Sequence, residues 1–324
     1  MGDLEQGIYE HLITEKLATQ LRHIDNALVR DEKLDPADAH ELLARHIAGL
    51  ARRAFLGVGG GDNKLARQVD LANRIAAHIA QAEPRAVTAE DQVADAQRLL
   101  HAIAAPPTPP AAPVFPIRPS TPISTGALLV NGRHQPRIGH EVSHEMASAD
   151  EVDLLCAFIK WHGLRIIEPA ITELIARGGR VRVITTTYMG ATDQRALDRL
   201  AELGAEIKVS YETRTTRLHA KAWLFRRNNG TTTAYVGSSN LSKAALVDGV
   251  EWNVRISNLE QPHVIDTFEA TFADYWHDSG VRDLRPGNRR RSSARGVAWG
   301  TRRRRPDRNR EPGRPAFSVP AGGS

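Results

Sequence analysis

Between Ala104 and Thr125 the chain carries eight prolines in 22 residues. Each proline fixes φ and removes a backbone donor, so this stretch can form neither a helix interior nor a central strand. We read it as an extended spacer and a domain boundary. It divides the 324 residues into two parts with different hydrophobic periods.

Residues 1–103 read as a small helical domain. GIYEHLITEKLATQLRHI sets Ile8, Leu12, Leu17 and Leu21 at roughly helical spacing. DPADAHELLARHIAGLARRAFLGV opens on Asp35 and Pro36, an N-cap followed by proline at the first helical position. GVGGGDN, residues 57–63, interrupts the pattern, which KLARQVDLANRIAAHIAQA and TAEDQVADAQRLLHAIAA resume. The glycine run is a helix-ending linker. No Gly-Lys-Ser/Thr follows it and a helix, not a strand, precedes it, so it is not a phosphate loop.

Past the prolines, residues 126–278 alternate between strand and helix. VDLLCAFI (152–159), RVRVITTT (180–187) and EIKVSYE (206–212) read as strands, separated by helices over 163–179 and 193–205. Pro169 suggests a kink or a new first turn in the first of these helices. RLHAKAWLFRR and TTTAYVG form a hairpin through Asn228-Asn229-Gly230. A short helix from Leu241, the strand VEWNVRIS (250–257) and a helix over 261–278 close the domain. The expected class is α/β, with a mixed, mostly parallel sheet flanked by helices.

From Arg282 to Arg314 there are thirteen arginines against three acids. That surplus of ten exceeds the chain's net +5 and leaves the remainder about five negative. Residues 279–324 have almost nothing apolar to bury and read as a disordered tail. A run this rich in Arg, Pro and Gly looks like out-of-frame coding; the other reading is a basic arm that grips phosphates. No apolar run approaches the roughly 20 residues of a membrane span, so no membrane role is expected and the cytoplasm is the default location. The one cysteine, Cys156, lies in an apolar run and reads as a buried structural thiol.

Two segments carry candidate chemistry. HEVSH, residues 140–144, fits H-E-x-x-H, which on a helix sets two imidazoles one turn apart with Glu141 between them. We read it instead as a solvated amphipathic helix, because Glu145 puts a charge where such a metal helix needs an apolar residue. The second segment is RLHAKAWLF. Side chains i and i+2 of a strand share a face, so His219 and Lys221 point together. An imidazole beside an ammonium suits attack on a phosphodiester. The turn GSSN adds Ser238 and Asn240 as donors at a helix start, and Glu251 on the next strand is placed to orient the imidazole.

These residues resemble the H-x-K…G-S-x-N signature of the phospholipase D superfamily. His219 and Lys221 match its histidine and lysine, Ser238 its serine and Asn240 its asparagine, while Glu251 matches the downstream acid of the bacterial nuclease branch. ITTTYMGATDQRALDRL, AYVGSSNLSKAALVDGVEWNVR and the opening IYEHLIT are similar to the N-terminal, nuclease-like region of bacterial superfamily II helicases. The motif's aspartate position, five past Lys221, is Arg226, and no Walker-type Gly-Lys-Ser/Thr is present.

The resemblance implies a metal-independent phosphodiesterase, a nuclease on DNA or RNA, that works through a phosphohistidine at His219 without a cofactor. Lys221 and Asn240 would hold phosphate oxygens. A single motif supplies one histidine where two are needed, which implies a homodimer with the site on its axis. The alternative is a non-catalytic nucleic-acid-binding module with a helicase partner; lipid headgroup hydrolysis is a third reading.

Overall fold

The computed structural model describes residues 4–94, 98–104, 112–132, 136–187, 190–211 and 218–284. The chain divides into two compact units, Met1–His101 and Ala102–Ser324.

The first unit holds α1 (Glu15–Leu21), α2 (Ala39–Gly57) and α3 (Lys64–Ala82). Thr14 caps α1 by accepting from the Leu17 amide. The first turn of α2 is preceded by a separate turn in which Asp35 accepts from the Ala37 amide, so the helix starts three residues later than the Asp-Pro signal predicts. The glycine break falls where expected, with Gly60 and Gly61 at φ of +135° and +52°. Among the described residues of 88–105, which are 88–94 and 98–104, no α-helix forms. Thr88 and Asp91 close a capping box, but only Ala89–Asp91 turns. The Asn73 side chain of α3 takes both Val93 N–H (2.8 Å) and Val93 O (3.3 Å), which draws that backbone out of helical pairing.

The second unit is an eight-stranded sheet: β1 (Ala127–Leu129), β2 (Glu151–Cys156), β3 (Arg180–Thr186), β4 (Glu206–Ser210), β5 (Lys221–Arg226), β6 (Thr232–Gly237), β7 (Asn253–Ser257) and β8 (Val281–Asp283). Their order is β1-β7-β6-β5-β2-β3-β4-β8. The helices are α4 (Ile138–Ser148), α5 (Trp161–Ala176), α6 (Gln194–Leu203) and α7 (Pro262–His277), with a short π-helical turn at Ala244–Asp248. Pro169 sits inside α5, which runs through it as one helix.

The α/β class and flanking helices are as expected, but the sheet is mostly antiparallel. Only β2–β3 and β3–β4 run parallel. These are the two pairs joined by helical crossovers, which parallel neighbours require. Strands β5, β6 and β7 follow one another through a five-residue loop and a longer turn with no such crossover, so they pair antiparallel. Gly230, at φ +84°, supplies the hairpin loop's left-handed position. Two strands start later than their sequence patterns: β5 at Lys221 and β7 at Asn253. The edge strand β8 lies past residue 278, where the domain was expected to end. The Arg-rich tail beyond Leu284 lies outside the described residues.

Alternation of period two sorts the strands' side chains between two cores. Leu154, Val183, Trp223, Phe225 and Tyr235 bury against α4, α5 and α6. Leu155, Ile184, Ala222 and Leu224 face the other way, toward α7 with Phe272 and Trp276.

One polar cluster runs through the first core. Glu145 of α4 is fully buried. It forms an ion pair with Arg227 and accepts from Arg255 Nε (2.9 Å), Thr233 Oγ1 (2.9 Å) and Tyr235 Oη (2.9 Å). The charge read as solvent-facing is therefore the best-partnered carboxylate among the described residues. Glu141 is buried as well and accepts from the Ser120 (3.1 Å) and Thr121 (3.2 Å) amides. Arg255 also donates to Pro122 O (2.6 Å) and Thr125 O (2.7 Å). The second half of the proline-rich stretch, expected as a free spacer, is thus fastened to the sheet domain, and it turns at its end, where the Thr125 amide donates to Pro122 O (3.2 Å).

Glu145→Ala leaves two guanidinium groups buried without their counter-ion. It is expected to destabilise the domain by about 3–5 kcal/mol, read from the urea unfolding midpoint. Burial pushes the Glu145 carboxyl upward, but Arg227 and Arg255 outweigh it and hold the group below the usual carboxylate range. Its contribution should therefore be complete above pH about 4.3, the unfolded value. It should be lost as pH falls through the lower folded value, a dependence that the alanine variant lacks.

Candidate active site

The loops at the carboxyl ends of β2 and β6 meet the start of β5. His219 is exposed and lies just before β5, with Lys221 as the first residue of the strand. The expected face-sharing pair is therefore made across a strand entry. Lys221 Nζ donates to His219 O (2.7 Å) and lies 2.9 Å from His219 Nδ1. Lys221 is itself nearly buried, across the sheet from Cys156. That burial lowers its pKa from the ordinary lysine value, opposed by Cys156 and the negative charge of Glu251.

Ser238 and Glu251 come together as a second pair: the Ser238 hydroxyl donates to the Glu251 carboxylate. Ser238 Oγ also accepts from the Trp252 amide (3.1 Å), and the Ser238 amide donates to Trp252 O (3.0 Å). Glu251 thus lies in the turn before β7, not on the strand, and its bonded partner is Ser238 where an imidazole was expected. Gly237 allows this turn. A Cβ there would collide with Trp252 O, so only glycine lets β6 come this close to the chain entering β7.

Asn240 is tied to β2's exit. Its Oδ1 accepts from the Phe158 amide (3.2 Å), and the Leu241 amide donates to Phe158 O (3.2 Å). The Phe158 ring meets the His219 ring edge-on, with centroids 5.9 Å apart. The Ala157 amide donates to Ala220 O at 3.1 Å. Residues 156–158 therefore hold His219, Lys221 and Asn240 from one short segment. Sequence reading passed over this segment because an Ala-Phe pair after an apolar strand carries no chemical signal. Cys156 belongs to it: its Sγ donates to Phe158 O (3.3 Å) and accepts from the Leu241 amide (3.2 Å).

Arg226 stands at the far end of β5, five residues or roughly 17 Å along the strand from Lys221. It bonds Asp153 (2.7 Å) and Glu269 (2.8 Å), and Asp153 is shared with Arg182 (2.6 Å). It is a structural ion-pair residue and does not touch the site. The HEVSH segment lies on α4, as expected, with the His140 and His144 rings 3.9 Å apart. Glu141 is committed to backbone amides and Glu145 to arginines. Among the described residues no group of three or more His, Cys, Asp or Glu is placed to hold a metal ion.

Residues 143–276 match the family model described as "Cardiolipin synthase, PLD-like domain", a span that contains all five candidate residues. The chain is similar to the phospholipase D family member Nuc from Salmonella typhimurium at 19% identity, over 50% of this chain and 99% of that one, with TM-score 0.37. NucT from Helicobacter pylori is similar at 16% identity, over 49% of this chain and 99% of that one, with TM-score 0.38. Yeast tyrosyl-DNA phosphodiesterase is similar at 8% identity, over 40% and 31%, with TM-score 0.28. No curated protein sequence matches. At such identities and TM-scores, what the site does has to come from its own residues.

The buried Cys156 thiol is pushed up to about 11, chiefly by desolvation. Dithionitrobenzoate at pH 8 is expected to leave it unmodified in the folded protein and to titrate one thiol in urea. Rapid reaction in the native state would show that the β2 exit opens.

Proposed function

We propose that the PLD-like domain of residues 143–276 is a metal-independent phosphodiesterase acting on nucleic acid. The observation that supports this most is the His219–Lys221 pair: an exposed imidazole with an ammonium 2.9 Å from its Nδ1, at the open end of the sheet. A diester anion is a stronger acceptor for Lys221 than a neutral ring nitrogen, so bound substrate would draw the ammonium off the imidazole and free it to attack. Attack forms a P–N bond and breaks the P–O bond to the leaving group. Water then cleaves the P–N bond, releasing the monoester and restoring His219. Lys221 and Asn240, whose Oδ1 is occupied by the Phe158 amide, carry the donors for the non-bridging oxygens. Glu251 contributes through Ser238 and through its field at Lys221.

The departing oxygen needs a proton, and the water must later lose one. In this reading His219 of a second copy serves both ends, so the working form is a homodimer with the site on its twofold axis. The second reading is a module that holds DNA or RNA for a helicase partner without cutting it. Under that reading Arg226 at the motif's acid position would be a sign of decay; Arg226 is ion-paired with Asp153 and Glu269 at the far end of β5 from Lys221.

In excess chelator, the purified protein is expected to cleave labelled DNA or RNA. His219→Ala should lower the rate by several orders of magnitude with the melting temperature kept. Lys221→Ala should be nearly as severe, and Glu251→Gln milder because glutamine still accepts from Ser238. Activity that disappears in chelator and survives His219→Ala would reject this mechanism and return attention to His140 and His144. Tight binding without cleavage would favour the second reading.

Light scattering at micromolar concentration is expected to give twice the chain mass. A monomer that cleaves at full rate would exclude the shared site.

A further inference from the structure

An arginine–indole pair between the first turns of α5 and α6 is left unused by the proposed chemistry. The guanidinium carbon of Arg195, on α6, lies 3.7 Å from the centroid of the Trp161 ring. Arg165, one turn further along α5, lies 5.8 Å from the same ring. The neighbouring cations are neutralised locally: Arg165 by Glu168 at 2.7 Å and Lys160 by Asp193 at 3.3 Å. Arg195 is exposed, and among the described residues it pairs with no carboxylate.

Backbone bonds tie this pair to the segment that holds the site. Phe158, whose ring meets His219, precedes Trp161 by three residues, at most about 10 Å of extended chain. The Lys160 amide donates to Leu241 O (2.8 Å), next to Asn240, and Ile159 bridges to Leu241. The Trp161 amide donates to Asp193 Oδ2 (2.8 Å), and the Asp193 amide donates to Ile159 O (2.8 Å). Arg195 follows Asp193 by two residues. It stands on the same side of the sheet as Lys221, because α5 and α6 cover the face on which Cys156 and Trp223 lie.

A free surface arginine loses much of its rotamer entropy when it grips an anion. Stacked on an indole, the guanidinium is already ordered and keeps its in-plane N–H donors for a ligand. A phosphodiester within a polynucleotide is flanked by further phosphates along the strand. We infer that Arg195, held on Trp161, binds a phosphate of the nucleic-acid strand adjacent to the one at His219. This rests on the nucleic-acid reading above, and it makes Arg195 a substrate-positioning residue that does not contact the reacting atoms.

Binding is measured by anisotropy of a labelled single-stranded oligonucleotide over a salt series, in a His219→Asn background so that nothing is cut. Arg195→Ala is expected to weaken binding about tenfold at low salt. It should also flatten the slope of log K against log salt by about 0.7, the release expected for one single-strand phosphate contact. Arg195→Lys should restore the slope but only part of the affinity, since lysine keeps the charge and loses the planar stack. Trp161→Leu should weaken binding in the Arg195 protein and add nothing to Arg195→Ala. With His219 intact, Arg195→Ala should raise KM for the oligonucleotide while kcat is kept. Unchanged affinity and slope in Arg195→Ala overturns the inference, as does binding of anionic phosphatidylglycerol vesicles in place of oligonucleotide. Turnover of bis-p-nitrophenyl phosphate by the unaltered protein tests the site's chemistry separately, because this diester has no flanking phosphate for Arg195. If Trp161→Leu fails to fold, the two Arg195 variants decide the outcome.

Discussion

A single carboxylate without access to water, Glu145 of α4, gathers four donors from the β5–β6 hairpin, β6 and β7. A buried charge costs several kcal/mol unless it is fully paired, so each of those elements has one position that satisfies it. Arg227 sits in the hairpin loop, Thr233 and Tyr235 on β6, and Arg255 on β7. The antiparallel half of the sheet is thereby keyed to α4. Arg255 extends the same network to Pro122 and Thr125, so the chain leaving the proline-rich stretch is fixed by the group that aligns the sheet.

That alignment matters for the site because its residues come from three places. His219 and Lys221 enter β5, Ser238 and Asn240 leave β6, and Glu251 approaches β7. Cys156, Ala157 and Phe158, at the exit of β2, tie the first two by backbone and thiol hydrogen bonds. Gly237 lets the third approach. The polar donors are thus held by groups with no reactivity of their own, which keeps His219 exposed while Lys221 is almost covered. The price of covering Lys221 is a lowered pKa, and the Glu251 charge offsets part of it.

The alternation of strands and helices was legible because apolar period is a local property, and the βαβ half came out as read. Strand direction was not. Whether β5 runs with or against β2 depends on the connection that brings it there, and period two looks the same in both cases. His219 and Lys221 were legible as a pair because two residues of extended chain share a face even before the ladder begins. Phe158 was not, since an aromatic residue after a strand reads equally well as core.

By itself the sequence determined which stretches could be helix or strand, where prolines and glycines forbid both, and which side chains have phosphate chemistry. It could not assign partners. Glu145 looked like a solvent charge because its arginines lie 82 and 110 residues away. Glu251 was matched to an imidazole and met a serine, and nothing in the sequence around Arg226 indicates that its partners are Asp153 and Glu269. Propensity acts over a few residues, whereas desolvation and ion pairing act between whatever the fold brings within a few ångströms. Only the tertiary structure therefore decided which charges are buried, which are paired, and which, like Arg195, remain open to a ligand.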